Sequence, residues 1–154
     1  DFVNLLHTRE KKLIGICFGH QLVAEALGGK VEKSSKGWGV GVHTHTFTET
    51  PVWHDGKRHE FNILVSHQDQ VVRTADGSVV LASSEFCENA VCQLGRHILT
   101  FQGHPEFVAD YSRKIIGLRK EAIGELTANR GLASLSTPSE GDRVANWIIN
   151  FISN

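Results

Sequence analysis

The sequence predicts an α/β fold. Three observations predict it: a buried strand turning sharply into an amphipathic helix near the start, a middle with β-sheet alternation, and a return to helical periodicity at the end. The strand is Lys12-Leu13-Ile14-Gly15-Ile16, a short apolar run with charge before it. Such a run suits a buried strand of a parallel sheet, although taken alone it leaves a helix open. Ahead of it, Phe2, Val3, Leu5 and Leu6 give Phe2 to His7 the look of a helix's last turns. After it, Leu22 and Ala26, then Val23 and Leu27, repeat every four residues, predicting a helix from about Phe18 to Leu27. Gly28-Gly29 ends it as a C-terminal cap.

The middle reads as strands. Val40, Val42, Thr44, Thr46 and Thr48 alternate with His43, His45 and Phe47 until Pro51. Phe61, Ile63 and Val65 mark another strand, and Val79 to Ser83 a third after the Asp76-Gly77 turn. Ala90 to Leu94 and His97 to Gln102 flank Gly95-Arg96, a hairpin-length connection. Towards the end, Ile115, Ile116, Leu118 and Ala122 predict a helix from roughly Asp110 to Leu126, with a loop over Gly131 to Ser136. Thr137-Pro138-Ser139-Glu140 has the form of a helix start, with Thr137 as N-cap and Pro138 at the first position. Val144, Trp147, Ile148, Phe151 and Ile152 then make one apolar face, which puts Trp147 in the core.

At 154 residues the chain fits one domain with a substantial core. Sixteen Lys plus Arg against 17 Asp plus Glu give a net charge of -1 with no basic patch, which argues against nucleic acid or an anionic membrane as the main partner. No apolar run is long enough to span a bilayer, and no signal-peptide pattern opens the chain. Three cysteines, Cys17, Cys87 and Cys92, make no secreted disulfide framework, so a reducing cytoplasm is the expected setting. Cys87 and Cys92 lack the spacing of a zinc site, and His43-Thr44-His45 lacks a third ligand, so exposed strand histidines and no metal are expected. The chain begins at Asp1 and contains no methionine, so it is expected to be an excerpt or a processed product of something longer.

The chemistry concentrates in Gly15-Ile16-Cys17-Phe18-Gly19-His20-Gln21. A side chain at the tip of a tight strand-to-helix turn is thrust out of the sheet, and small residues two away on each side permit the turn. Gly15 and Gly19 stand there. The unpaired amides of a helix N-terminus favour thiolate over thiol, so the position predicts an acidified Cys17. The same amides favour an oxyanion, with the Phe18 N–H as one natural donor. An inert buried cysteine is the plain alternative; glycines on both flanks, a strand before and a helix after favour the reactive one.

A thiolate nucleophile wants an imidazole, and the imidazole a carboxylate or amide to fix its tautomer. Nine histidines compete. Gln102-Gly103-His104-Pro105-Glu106 follows a predicted strand, and the residue before a proline is pushed towards extended backbone. Positions two apart then project to one side, which pairs His104 with Glu106. His20 competes by proximity but has no adjacent carboxylate to orient it.

Gly-Ile-Cys-Phe-Gly-His-Gln followed by Gly-His-Pro-Glu resembles the class I glutamine amidotransferase family, whose signature is a G-x-C-x-G-x-Q elbow with a downstream H-P-E. The resemblance runs from about Leu5 to Phe151. It implies a flavodoxin-like sheet with flanking helices and a β-rich insertion, and a Cys17, His104, Glu106 triad forming a γ-glutamyl thioester from glutamine or a glutamine-like amide, without a cofactor. It implies substrate contact by Gln21, and a loop with Ser66 and His67 (in Ser66-His67-Gln68-Asp69) beside the substrate pocket; a polar turn is the plain reading of that stretch. Gly28-Gly29-Lys30, Lys36-Gly37-Trp38 and Gln102-Gly103-His104 are most similar to stand-alone members that look like guanosine monophosphate synthase or plant γ-glutamyl peptidases. Family members carry several βα units before the elbow strand, including a second oxyanion amide. The chain is therefore expected to be an amino-terminally incomplete domain, poorly stable and weakly active in isolation. A separate ammonia-accepting subunit is one implied partner. A γ-glutamyl peptidase, another cysteine hydrolase of similar elbow geometry, and a non-catalytic binding domain of the same fold are the alternatives.

Overall fold

The apolar run at residues 13–16 forms strand β1 (Leu13–Ile16), preceded by α1 (Phe2–Thr8) and followed at once by α2 (Phe18–Ala26). The structure is a computed structural model and describes residues 2–154. Gly28, at φ +89°, ends α2, and the Gly29 N–H donates back to the Ala24 carbonyl at 2.7 Å, a glycine C-cap as the sequence predicts. Then come β2 (Lys30–Lys33), β3 (Gly39–Phe47), β4 (Glu60–His67), β5 (Asp69–Arg73), β6 (Ser78–Ser84), β7 (Val91–Leu94) and β8 (Ile98–Phe101). Four helices finish the chain: α3 (Ala109–Leu118), α4 (Lys120–Ile123), α5 (Glu125–Ser134) and α6 (Gly141–Ser153).

Six strands form one sheet in the order β1-β8-β7-β6-β3-β4. Only β1 and β8 pair in parallel, with Ile16 opposite Phe101; the other neighbours are antiparallel. The α/β class therefore holds, with the parallel character confined to the pair that carries the elbow. The sheet curls: Leu64 of β4, the far edge strand, bridges His104, and the His104 N–H donates to the Leu64 carbonyl at 2.7 Å. Strand alternation sends Leu99 and Phe101 to one face and Ile98 to the other. The first face packs Phe47, Trp53, Phe61 and the α6 residues Val144, Trp147 and Phe151 into the main core. The second packs Val3 of α1 and Val23 of α2 against Leu94 and Ile98. Trp147 is fully buried, as the helical periodicity predicts.

Several expectations need correction. The helix expected over Asp110 to Leu126 is three helices, broken at Arg119 and at Gly124, whose φ of +88° no helix accommodates. The expected loop over Gly131 to Ser136 is largely the end of α5. Residues 137–140 are not helical, and α6 starts at Gly141 with Glu140 at the N-cap. Glu140 instead serves the sheet edge: its carboxylate accepts from the Asn62 N–H and from Arg143, and its own N–H donates to the Asn62 carbonyl. The strand histidines are not exposed. His45 is buried and stacks on Phe61, and His43 is half-buried against Phe86. A second sheet, β2 with β5, escaped the sequence reading because Lys30-Val31-Glu32-Lys33 carries one apolar residue.

Candidate active site

Cys17 sits alone between the end of β1 and the start of α2, at φ 49° and ψ -99°. A residue with a Cβ rarely adopts this backbone, and such strain persists only where surroundings over-determine it. They do here. The Cys17 N–H continues the β1–β8 ladder by donating to Phe101 O at 2.8 Å, while the Cys17 carbonyl accepts the Gln21 N–H at 3.1 Å as the first turn of α2. Strand and helix thus both claim the same residue. The two flanking glycines act differently. A Cβ on Gly15 would stand 2.8 Å from the Gly19 carbonyl oxygen and 2.9 Å from Thr100 Cγ2, whereas a Cβ on Gly19 would meet nothing. The close approach that the turn requires is at Gly15.

The thiol is not acidified in this state, contrary to the sequence expectation. Burial, the largest influence, pushes it above its ordinary value, and the Glu106 carboxylate pushes the same way; hydrogen bonds from the Phe18 N–H and from Gln102 oppose them. Cys87 and Cys92 are buried deeper and pushed to about 12, mainly by desolvation. Cys17 is the least buried of the three thiols.

His104 follows β8 and is held against β4. Gly103 makes the approach possible, since a Cβ there would lie 2.5 Å from Ile63 Cδ1. The His104 Nδ1–H donates to Glu106 Oε1 at 2.7 Å, and Phe107 stacks on the imidazole with centroids 3.9 Å apart and planes 11° from parallel. That hydrogen bond fixes the tautomer and leaves Nε2 as the ring atom able to take or give a proton. The period-two argument for His104 and Glu106 is met by this contact.

The other candidates are placed as follows. Gln21 points its Nε2 at the Asp69 carbonyl, 2.8 Å away, and at Gln102 Oε1, 3.2 Å away. Ser66 and His67 end β4 and Asp69 begins β5, so this stretch is strand, one residue, strand rather than a loop. The His67 ring is buried, donates from Nδ1 to Asp69 O at 3.2 Å and is held neutral by burial, its pKa lowered to about 4. Ser66 Oγ is buried with no hydrogen-bond partner among the described residues. His20, the competitor, is buried with Nδ1 against Thr100 Oγ1 at 2.8 Å and its pKa lowered to about 4 by burial. It is packed beneath the elbow and meets no carboxylate among the described residues.

The sequence reading missed Gln102, whose Nε2 donates to Cys17 Sγ at 3.7 Å. The signal was available: in an extended segment Gln102, His104 and Glu106 share one side by the same rule that paired the last two. No three His, Cys, Asp or Glu side chains cluster as a metal site among the described residues, and no described helix is long and apolar enough to cross a membrane. A cleft of about 740 Å³ is lined by Ile16, Glu106, Phe107, Pro138 and Ile148 and reaches the elbow at Ile16, but Cys17 is not in its wall.

The sequence profile described as Glutamine amidotransferase class-I matches residues 2–116, a stretch that includes the elbow, His104 and Glu106. A glutamine amidotransferase-like protein of Schizosaccharomyces pombe is 34% identical over 143 residues, covering 92% of this chain and 57% of that protein. Gamma-glutamyl peptidase 5 of Arabidopsis thaliana is 34% identical over 116 residues, 72% of this chain and 46% of that protein. The chain thus spans about half the length of these curated relatives. Among solved structures, a glutamine amidotransferase from Thermotoga maritima superposes with a TM-score of 0.81 at 16% identity over 99% of this chain and 67% of that one, a likeness of fold. A profile match across three quarters of the sequence, with relatives above 30% identity covering most of it, carries one conclusion: the chain belongs to the class I glutamine amidotransferase family.

Proposed function

We propose that this chain carries the amide-hydrolysing site of a cysteine-dependent glutamine amidotransferase, with Cys17 as nucleophile, His104 as acid–base and Glu106 as the group orienting His104. One observation carries the reading. Cys17 is held in strained backbone at a strand–helix junction, and the segment leaving the adjacent parallel strand brings in a histidine already paired with a carboxylate at 2.7 Å.

The steps follow from these groups. His104 Nε2 takes the Cys17 thiol proton as sulfur attacks the γ-carbonyl carbon of glutamine; the C–S bond forms and the carbonyl π pair moves to oxygen. The Phe18 N–H, first of the helix, donates to that oxyanion. Collapse breaks the C–N bond, and nitrogen leaves as ammonia with the proton from His104. Water then adds to the γ-glutamyl thioester, giving its proton to His104, and glutamate departs as the sulfur regains that proton. Glu106 keeps one tautomer throughout and stabilises the imidazolium.

Because four Arabidopsis thaliana relatives at 29–34% identity are γ-glutamyl peptidases, a second reading has the same thioester formed from a γ-glutamyl peptide, with an amine leaving in place of ammonia. Under the first reading the ammonia passes to an acceptor, which a separate subunit can supply. Comparing kcat/KM for glutamine with that for a γ-glutamyl dipeptide decides between them. The shared chemistry is tested by a glutamine-mimicking electrophile and peptide mapping: Cys17 alone is modified. Cys17→Ala lowers product release by at least about 10³-fold, while Cys87→Ala and Cys92→Ala retain it. Label on Cys87 or Cys92, or product from Cys17→Ala, overturns the reading.

A further inference from the structure

Beneath the elbow runs a hydrogen-bond chain whose direction can be worked out from one end. The main-chain carbonyl of Asp69 can only accept. The Gln21 group 2.8 Å from it is therefore the amide NH₂, and the second hydrogen of that NH₂ goes to the Gln102 amide 3.2 Å away. Gln102 must meet it with oxygen. Its own NH₂ is then turned to Cys17 Sγ at 3.7 Å. Reversing Gln21 would set oxygen against the Asp69 carbonyl; reversing Gln102 would set two NH₂ groups against each other and aim oxygen at the sulfur. The Asp69 carbonyl is further committed as an acceptor by the His67 Nδ1–H. The chain has one consistent orientation, and it ends by donating to sulfur.

The Gln102 side chain is engaged at both ends, its oxygen by Gln21 and its nitrogen by Cys17. The residue is 1% exposed, and its main chain is fixed by an N–H donated to Ala90 O at 2.8 Å. A thiol is a weak acceptor and a thiolate a strong one, so a buried donor aimed at sulfur favours the charged form. We propose that Gln102 is a catalytic residue whose side-chain amide stabilises the Cys17 thiolate, and that Gln21 is a positioning residue fixing the orientation of that amide. This rests on reading Cys17 as the nucleophile. The opposing influences on the thiol agree with it, since burial and Glu106 raise its pKa and the Gln102 bond lowers it.

The test follows the rate of Cys17 alkylation by iodoacetamide against pH in the intact protein, with Cys17 resolved by peptide mapping. Gln102→Leu moves the midpoint up by about 1 pH unit, the size of a lost hydrogen bond to a charged group. Gln21→Met moves it the same way by about half as much, because Gln102 is freed to turn. Product release by Gln102→Leu falls about tenfold near pH 7 and recovers as the pH approaches the new midpoint, a recovery that a merely structural defect does not give. Unmoved midpoints in variants with native circular dichroism overturn the proposal. Should Gln102→Leu fail to fold, Gln21→Met decides alone: its side chain is half-buried, and an upward shift supports the relay while an unchanged midpoint sinks it. The two readings fail separately. Wild-type protein releasing no product, with midpoints that move as stated, removes the proposed function and leaves the relay as a device tuning the thiol; product release with unmoved midpoints does the reverse.

Discussion

Gly15 and Gly19 flank Cys17 symmetrically in sequence, yet only one of them is sterically committed. A methyl on Gly15 must displace the Gly19 carbonyl or the Thr100 side chain, and both belong to regular elements. Gly15→Ala is expected to cost about 1–3 kcal/mol, a melting temperature lower by several degrees in scanning calorimetry. Gly19→Ala meets open space inside a helix and should raise stability by about 0.5–1 kcal/mol. Equal losses from both would show that the elbow constrains its second glycine by some route other than contact. At this scale the sequence was most legible. The residues that matter are named by local backbone requirements: a strand running into a helix asks for a tight turn, and a proline after His104 asks for extended chain. What local pattern cannot give is burial, and burial reversed the expected acidity of Cys17. The helix amide contributes as expected, but desolvation outweighs it.

Among elements, the ones with strong periodicity were legible and the ones whose ends are set by distant partners were not. Helix α6 shows why. Its capping sequence is well formed at Thr137, but Glu140 is drawn to the open edge of β4, where it binds Asn62 and Arg143 and, with Arg58, forms an ion pair. The segment before it is thereby held out of helical register. Arg143 is tied in turn to Asp55, whose carboxyl it holds well below the ordinary range. Removing a carboxylate that is only 17% exposed leaves a main-chain N–H and a guanidinium short of an acceptor. Glu140→Ala is therefore expected to lower stability by about 2–3 kcal/mol, read as a lower urea midpoint with an unchanged slope. Because Glu140 and His104 sit at different points of the same edge, the Cys17 alkylation midpoint should stay where it is. The short charged strand β2 was illegible for a related reason: its pairing with β5 is a contact of distant chain segments, and its own pattern holds one apolar side chain.

For the whole molecule, pairing order is the least local property, and the sequence left it open: β1 and β8 are neighbours although 81 residues separate Ile16 from Ile98. That long return has a consequence for acid stability. The strands and helix brought together by it bury three histidines, His20, His45 and His67, each held neutral with its pKa lowered to about 4, in every case mainly by desolvation. In the unfolded chain each takes a proton near the ordinary histidine value of about 6.5. Between those limits the unfolded state binds more protons than the folded one, so stability rises with pH. The contribution is complete above about pH 6.5, is lost as pH falls, and changes little further below about pH 4. Each histidine supplies roughly 3 kcal/mol or less. Urea unfolding of the intact protein at a series of pH values should therefore show a steep decline from pH 6.5 to 4. His45→Phe keeps a ring stacked on Phe61 and removes one of these titrations, so its curve should be shallower across that window. A variant curve parallel to the wild type would mean that His45 is protonated in the folded state, and that the core around Phe61 admits water.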